Sequence, residues 1–249
     1  MGHVFDFKEA LAYERWIEKH RGRFEGSLEN LQVLDMLKPA AGESILDIGC
    51  GNGVSLVSFL EAGLRTAGLD ASPYMLDLAY DKVGHRADLY RGVAENLPFE
   101  DNSFNHACFV TTLEFVEDAE KALAEACRVA KDRVFIGLLN RQAIRGIRLR
   151  LEGMSSSASL YRHARFFSIW ELQRMARFLM GDVPITWRTV CQPPPGNRAI
   201  AAKIEQSCLL HKNPFGAFGG LVITLVPRFK ARPLAISYRP KQTPGAVAG

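Results

Sequence analysis

Residues 45–53 read Ile45-Leu46-Asp47-Ile48-Gly49-Cys50-Gly51-Asn52-Gly53 and join an apolar run to a cluster of three glycines. The run from Ser44 to Ile48 is short and apolar, as in a strand buried on both faces. Apolar residues at helical spacing follow the glycines from Val54 to Leu60. The stretch therefore predicts a strand, a tight turn and a helix.

The same alternation of short apolar runs and helical patterns continues along the chain. A run at 66–70 ends in an acid, and Pro73 stands where a helix would begin. Strands that alternate with helices favour a parallel sheet covered on both faces. We predict further strands at 88–93, 104–110, 133–139, 185–191 and 219–227, and helices at 119–130 and 168–180, the last with Ser168 as N-cap.

Charge is distributed unevenly between the two parts of the sequence. Residues 1–140 carry 14 Lys and Arg against 23 Asp and Glu, whereas residues 141–249 carry 17 against 4. The net charge of +4 for all 249 residues hides this difference. A basic part of this kind suits an anionic substrate, a nucleic acid, a membrane surface or an acidic partner.

Composition excludes several classes of protein. Apolar runs are too short to span a bilayer, the first residues lack the apolar core of a signal peptide, and we expect a cytoplasmic protein. The five cysteines are odd in number and never spaced as CxxC, which argues against a disulfide framework or a structural zinc site. We therefore predict no metal site.

The glycine cluster and a later acid indicate the kind of ligand. Gly49, Gly51 and Gly53 let a ligand approach the backbone and the N-terminus of the next helix. Asp70 ends the next predicted strand, where a carboxylate can accept hydrogen bonds from both hydroxyls of a ribose. A dinucleotide site would have glycine at Val54, and Asp47 would repel a pyrophosphate. The pattern favours a cationic ligand that contains adenosine over NAD.

Three segments together resemble the class I S-adenosylmethionine-dependent methyltransferases. They are 45–53, Gly68-Leu69-Asp70-Ala71-Ser72 and 94–104, which begins Ala94-Glu95-Asn96-Leu97-Pro98. The resemblance covers about residues 30–140 and is nearest in style to the enzymes of ubiquinone and menaquinone biosynthesis. It implies an α/β fold, a Rossmann-like three-layer sandwich with a seven-stranded, mostly parallel sheet and an N-terminal helical extension.

The resemblance also implies the cofactor and its ligands. The cofactor would be S-adenosylmethionine, with S-adenosylhomocysteine as the product. Asp47 and the backbone of 49–53, including Cys50, would border its methionine part. Asp70 would hold the ribose, Ala71 and Met75 would flank the adenine, and Ala94 and Glu95 would lie at its edge. Thr111 and Thr112 would lie near the sulfonium, and an aromatic N-terminal segment with Tyr13 and Trp16 would close over the site.

Two positions depart from the family pattern. Relatives commonly have an acid where this chain has Val93, which removes one contact to the adenine amino group. They also commonly have Asp where this chain has Asn105. The catalytic residue is not assigned by the sequence: His106 is expected in a buried strand, and His163 and Tyr161 fall in the variable segment.

The basic segment 141–166 follows the fifth predicted strand, where related enzymes insert structure that covers the acceptor. Arginines alternate there with apolar residues. One interpretation is recognition of an anionic or lipid-like acceptor, or peripheral contact with a membrane. The other is a solvated helix. We expect residues 1–38 to form an extension or lid, 39–232 the methyltransferase domain, and 233–249 a flexible tail.

Two other functions compete with methyl transfer to an O, N or C atom of a small molecule. A non-catalytic methyltransferase-like scaffold is the first, and Val93 favours it. A nucleic-acid methyltransferase is the second, favoured by the basic part. The sequence Thr111-Thr112-Leu113-Glu114 argues against the second, because it lacks the (Asp/Asn)-Pro-Pro-(Tyr/Phe) motif after the fourth strand.

Overall fold

The computed structural model of the chain describes residues 2–20, 32–143, 162–190, 216 and 218–225, with side chains up to residue 15 in the first range. The strands are β1 (Ser44–Ile48), β2 (Arg65–Asp70), β3 (Asp88–Arg91), β4 (Phe104–Val110), β5 (Ala130–Leu139), β6 (Ile185–Val190) and β7 (Phe218–Thr224). The helices are α1 (Phe7–His20), α2 (32–37), α3 (Val54–Glu61), α4 (Pro73–Val83), α5 (Ala119–Val129) and α6 (Ile169–Met180).

The seven strands form one sheet in the order β3-β2-β1-β4-β5-β7-β6. The first five of these are parallel, and β7 alone runs against both of its neighbours. The predicted seven-stranded, mostly parallel sheet is therefore confirmed. Because parallel strands end at the same edge, the loops after β1, β2, β3, β4 and β5 meet there.

Apolar side chains alternate between the two faces of the sheet and fill two cores. Along β1, Ile45 packs with the cluster that contains Phe59 of α3, whereas Leu46 and Ile48 pack with the cluster that contains Leu123 of α5. This alternation is the period of two that a strand imposes. Burial of both faces explains why the predicted strands are almost wholly apolar and confirms the three layers.

Helix starts follow the capping residues seen in the sequence. Ser168 and Glu171 form a complete capping box at the start of α6. Ser72 caps α4 and Pro73 occupies its first turn. These local signals explain why the helix starts were predicted closely.

Strand ends differ more from the predictions. The third strand ends at Arg91, because Val93 joins only an isolated bridge with Asn96. The fifth begins at Ala130, three residues before the prediction, where it pairs with Phe104 across a register shift. The predicted ends of the last two strands, most of the segment 141–166 and the tail 233–249 lie outside the described residues.

Candidate cofactor and acceptor site

The turn after β1 is tied to the two strands beside β1. The N–H groups of Gly49 and Cys50 both donate to the carbonyl of Leu69 in β2, at 2.7 and 3.0 Å. Gly49 has φ +74°, and a Cβ there would stand 2.1 Å from Cγ2 of Thr112, which follows β4. The Thr112 hydroxyl donates to the Gly49 carbonyl at 3.2 Å. Only glycine fits at this crossing of three strand ends.

The next glycine of the turn, Gly51, faces open space. It has φ +51°, and no atom of the described residues lies within 4 Å of the place where its Cβ would be. Gly53 then caps α3, whose first-turn N–H groups lie at the same edge of the sheet. The turn therefore leaves room for a ligand against its own backbone.

Asp70, at the end of β2, is held by the same turn. Its Oδ2 accepts from the Gly51 N–H and its Oδ1 from the Ser72 N–H, both at 2.9 Å. Burial raises the pKa of this carboxyl, and the N–H groups of Ser72, Gly51 and Ala71 partly offset the rise. A carboxylate offers about four acceptor positions, so both oxygens keep capacity for hydroxyl donors of a ligand.

Asp47 lies beneath the turn and is 1% exposed. Its Oδ1 accepts from the thiol of Cys108 on the neighbouring β4, with 3.5 Å between S and O. Burial raises the pKa of Asp47 to about 7, the Cys108 thiol opposes this rise, and the negative charge of Asp70 adds to it. Burial also raises the pKa of the Cys50 and Cys108 thiols, so both stay neutral and pack as apolar groups.

This burial makes a testable prediction about pH. Between pH 4 and 7 the folded protein keeps a proton on Asp47 that the unfolded chain has lost, so Asp47 weakens folding as the pH rises through that range. The melting temperature of the wild type, measured relative to that of Asp47→Asn, is therefore expected to fall between pH 5 and pH 8. Thermal unfolding of both proteins across this range measures the difference, and melting curves that shift in parallel would contradict it.

The end of β4 carries the two threonines predicted near the sulfonium. Thr111 has φ +53°, which is unusual for a β-branched residue and costs about 1–2 kcal/mol. Its N–H donates to the carbonyl of Gly137 in β5 at 2.9 Å, and this bond holds the conformation. The turn directs the chain from β4 over the carboxyl edge, where Thr112 meets Gly49.

The residues predicted near the adenine also come to this edge. Met75 and Ala94 are buried, and Ala71 is half-buried. The Gly92 N–H donates to the Asp70 carbonyl at 3.1 Å, which brings the loop after β3 beside β2. Glu95 also holds the chain beyond β4, because its Oε1 accepts from the N–H groups of Glu117 and Asp118 at 2.8 and 3.3 Å. All twelve predicted cofactor residues thus lie near the carboxyl ends of four adjacent strands, with Met75 in the first turn of α4.

An N-terminal segment, His3–Asp6, lies across this edge; we call it the strap. The carbonyl of Phe5 accepts from the Ser72 hydroxyl at 2.6 Å, and the His3 N–H donates to the Phe115 carbonyl at 2.9 Å. The ring of Phe5 packs edge-on against Tyr13 and Phe115, with centroids 6.0 and 5.5 Å apart. The strap thus bridges the ends of β2 and β4. The Trp16 side chain lies outside the described residues.

Helix α1 is joined to the glycine turn by one carboxylate. Glu14 accepts from the side-chain amide of Asn52, and its other oxygen lies 2.9 Å from Nζ of Lys82 in α4. The two side chains that contact the Glu14 carboxylate are partly shielded from water, since Asn52 is buried and Lys82 is half-buried. Glu14 therefore connects α1, the turn after β1 and α4.

We expect Glu14→Ala to loosen the hold of the N-terminal segment on the cofactor edge. A bond between a charged and a neutral partner contributes about 1.5–3 kcal/mol, so S-adenosylhomocysteine should dissociate about 10-fold faster or more. Stopped-flow dissociation measures this rate. Asp81→Asn, an exposed change beside Lys82 on α4, serves as the control. Equal dissociation rates for wild type and Glu14→Ala would show that the connection does not affect the cofactor.

The part of the carboxyl edge beyond β4 carries arginines in addition to a buried carboxylate. Glu114 is 1% exposed; its Oε1 accepts from the Leu139 N–H at 2.9 Å, and its carbonyl accepts from the Arg165 N–H at 2.7 Å. The guanidinium of Arg165 lies 4.9 Å from the centre of the Phe167 ring. Arg141 pairs with Glu171 at 3.1 Å. Glu114 thus fixes both the end of β5 and an arginine-bearing segment.

The histidines considered from sequence lie in different environments. His106 is buried and its Nε2 lies 2.9 Å from Glu43, near the amino end of β4 and far along the strand from the site. His163 is exposed and stacks on His3 of the strap at 4.3 Å. Tyr161 lies outside the described residues. Asn105 joins three strands through bonds with Ser44 and Asp132, which shows a structural role at this departure from the family pattern.

Phe5, Glu14, Asn52 and Glu114 were missed as site residues. Asn52 stands between two predicted glycines, which was a usable signal. The sequence around Glu14 and Phe5 gave no such signal, because their partners lie 38 and 67 residues away in the sequence.

No group of acidic, histidine or cysteine side chains suited to a metal ion occurs among the described residues, and no helix in that part of the chain is long and apolar enough to cross a membrane.

Comparison with known proteins agrees with this geometry. A family model described as a methyltransferase domain matches residues 46–136. An uncharacterized protein of Methanocaldococcus jannaschii is 30% identical over 178 residues, which are 71% of this chain and 80% of that protein. The demethylmenaquinone methyltransferase of Renibacterium salmoninarum is 39% identical over 103 residues, 40% of this chain and 41% of that enzyme.

A solved structure extends the similarity over most of the fold. It is a SAM-dependent methyltransferase of Thermotoga maritima, described as a possible histamine N-methyltransferase, with a TM-score of 0.69 and 26% identity over 89% of this chain and 99% of that one. The mostly parallel seven-stranded sheet, the glycine turn after β1 and the carboxylate at the end of β2 are the features that the sequence resemblance to the class I methyltransferases implied. The chain belongs to this S-adenosylmethionine-dependent methyltransferase family.

Proposed function

We propose that this methyltransferase transfers the methyl group to an O, N or C atom of a small anionic acceptor that binds beyond β4 and β5. Arg165 carries this proposal. Its N–H donates to the carbonyl of Glu114, which comes directly after the turn that bears Thr112, and its side chain is exposed. Arg162, three residues earlier in the same segment, is also exposed. Guanidinium groups at this position suit a carboxylate or phosphate of the acceptor.

The cofactor residues are proposed to act as their geometry allows. Asp70 accepts from the ribose hydroxyls, the backbone of 49–53 and Asp47 lie beside the cationic methionine part, and the strap covers the ligand. S-adenosylmethionine supplies a methyl group that is already activated. The protein then has to exclude water and hold the acceptor atom in line at close distance. No general base is assigned, because acceptors differ in whether they need one.

The division of the chain supports this proposal. The part of the chain from β1 to the turn after β4 contains every predicted cofactor residue, whereas the arginines of the acceptor side come after Asn140. Residues 1–38 would act as the cover, 39–232 as the catalytic domain with its acceptor-side segment at 141–166. The activity of the demethylmenaquinone relative is not transferred, because this chain spans only about two-fifths of that enzyme.

Acceptor screening with methyl-labelled S-adenosylmethionine tests the proposal. Anionic acceptors should be methylated in preference to neutral analogues of the same shape. Arg165→Ala is then expected to raise KM for the anionic acceptor about 10-fold or more, which is the loss of one charge-assisted bond, with the affinity for S-adenosylhomocysteine within twofold of wild type. Lys131→Ala, an exposed change at the start of β5, is the control.

Three results would contradict parts of this proposal. Failure to bind S-adenosylhomocysteine would remove the cofactor assignment. Binding without turnover of any acceptor would favour the scaffold function. Turnover that prefers neutral acceptors and is indifferent to Arg165→Ala would leave the methyltransferase activity but remove the anionic acceptor.

A further inference from the structure

Helix α6 carries aromatic and cationic side chains on the face turned away from the core. Its inner face holds Ile169, Leu172 and Ala176, which are buried. Trp170 and Phe178 are 45% and 78% exposed. The outer face lies along one shallow depression lined by Trp170, Gln173, Arg174, Arg177 and Phe178.

The spacing of these residues makes a single stripe. Trp170, Arg174, Arg177 and Phe178 stand at i, i+4, i+7 and i+8, which is one side of an α-helix. The acid of the helix, Glu171, bonds with Ser168 and Arg141 instead of with these arginines. The stripe is therefore cationic along its middle and aromatic at both ends.

Trp170 and Phe178 do not hold α6 on the sheet, because the buried inner face of the helix does so. Ile169 anchors the helix to β7, where a side chain at Gly219 would stand 2.7 Å from its Cδ1. Isolated exposed aromatic residues are common, but two of them flanking two arginines form a patch of the kind that marks an interaction surface.

We propose that this outer face of α6 docks onto an anionic phospholipid surface. Tryptophan and phenylalanine enter the boundary between headgroups and acyl chains, and arginine binds the phosphates beside them. Charge complementarity supports this occupant, since residues 141–249 carry 17 Lys and Arg against 4 Asp and Glu. A strand of nucleic acid fits less well, because it needs a basic groove with stacking platforms, and the stripe lies on the outer face of a single helix.

The position of α6 would place a docked membrane next to the proposed acceptor site. The ion pair between Arg141, which follows β5, and Glu171 places the first turn of α6 at the carboxyl edge. A bilayer that contacts the stripe would lie next to the side of the site on which the acceptor is proposed to bind. The docking does not depend on which acceptor is methylated.

Vesicle sedimentation of the full chain tests the proposal. The wild type should bind vesicles of phosphatidylcholine and phosphatidylglycerol in equal parts, bind pure phosphatidylcholine much more weakly, and lose binding as salt is raised. Arg174→Gln with Arg177→Gln is expected to lower the partition coefficient roughly 25-fold, about fivefold for each arginine. Trp170→Ala with Phe178→Ala should lower it about 10-fold or more, because two inserted rings are lost.

A matched double variant on other surfaces is the control. Tyr80→Ala with Lys131→Gln removes an exposed aromatic ring and an exposed cation away from α6 and should leave vesicle binding unchanged. Each protein is also tested for S-adenosylhomocysteine binding, which reports folding and separates failure of docking from failure of the methyltransferase function.

Three results would overturn the proposal. In the first, the wild type would bind S-adenosylhomocysteine but not anionic vesicles, and in the second it would bind neutral vesicles as strongly as anionic ones. In the third, the control variant would lose as much vesicle binding as the α6 variants. Binding of RNA through the same side chains without vesicle binding would assign the stripe to nucleic acid. Self-association that the stripe variants abolish, again without vesicle binding, would assign it to a second copy of the chain.

Discussion

Asp70→Asn is expected to lower the affinity for S-adenosylhomocysteine at least 100-fold while the protein remains folded. The carboxylate is oriented by the N–H groups of Gly51 and Ser72. An amide nitrogen at either oxygen position would face an N–H donor, so the side chain would turn and lose its hold on the ribose. Two hydrogen bonds to a charged group contribute about 3 kcal/mol or more, which corresponds to this loss. Titration calorimetry measures it.

The same variant should lose about 1–2 kcal/mol of stability, because one of the two N–H groups loses its acceptor, and removal of a buried charge whose pKa burial already raises offsets part of that loss. Thermal unfolding without ligand gives this comparison. Asp77→Asn, an exposed change on α4, is the control and should alter neither measurement. An Asp70→Asn protein that binds S-adenosylhomocysteine as tightly as the wild type would show that the ribose is held elsewhere.

Gly51→Ala is expected to weaken the same ligand about 100-fold or more for a different reason. Among the described residues, no atom lies within 4 Å of the new Cβ, so the methyl group collides with none of them. It would instead occupy the space in which the ligand approaches the backbone. The positive φ of +51° costs about 1–2 kcal/mol of stability. Calorimetry and denaturant unfolding of the variant give both quantities.

Gly42→Ala separates these two effects. Gly42 also has a positive φ, +83°, and no atom in the described part of the chain lies within 4 Å of its Cβ position, but it precedes β1 at the opposite edge of the sheet. It should show the same loss of stability with unchanged ligand affinity. If both alanine variants bind the ligand normally, the space in front of Gly51 is not the cofactor site.

The cofactor half of the fold was predictable because its signals are local. The apolar run 44–48, the glycines after it and Asp70 each occupy a position that geometry restricts, and the structure brings them together with direct hydrogen bonds. The capping box of Ser168 and Glu171 likewise fixed a helix start from four consecutive residues. Patterns of this kind need no knowledge of distant contacts.

The remaining features depend on contacts between distant parts of the chain. Glu14 meets Asn52 only once α1 lies over the sheet, and nothing near Glu14 marks it as different from the other acids of α1. Glu95 looks in the sequence like an adenine neighbour, but the structure adds its bonds to the backbone after β4. The unusual backbone of Thr111 is equally hidden, because threonine is not a residue that a turn signal would select.

The reversed strand β7 has a consequence for the order in which the chain assembles. It lies between β5 and β6, so β5 keeps an open edge and β6 has no neighbour in the sheet until residues 218–224 are made. Val134 to Leu139 of β5 are wholly buried in the finished protein. During synthesis this apolar edge stays uncovered while about 80 further residues emerge, which is the situation in which nascent chains aggregate.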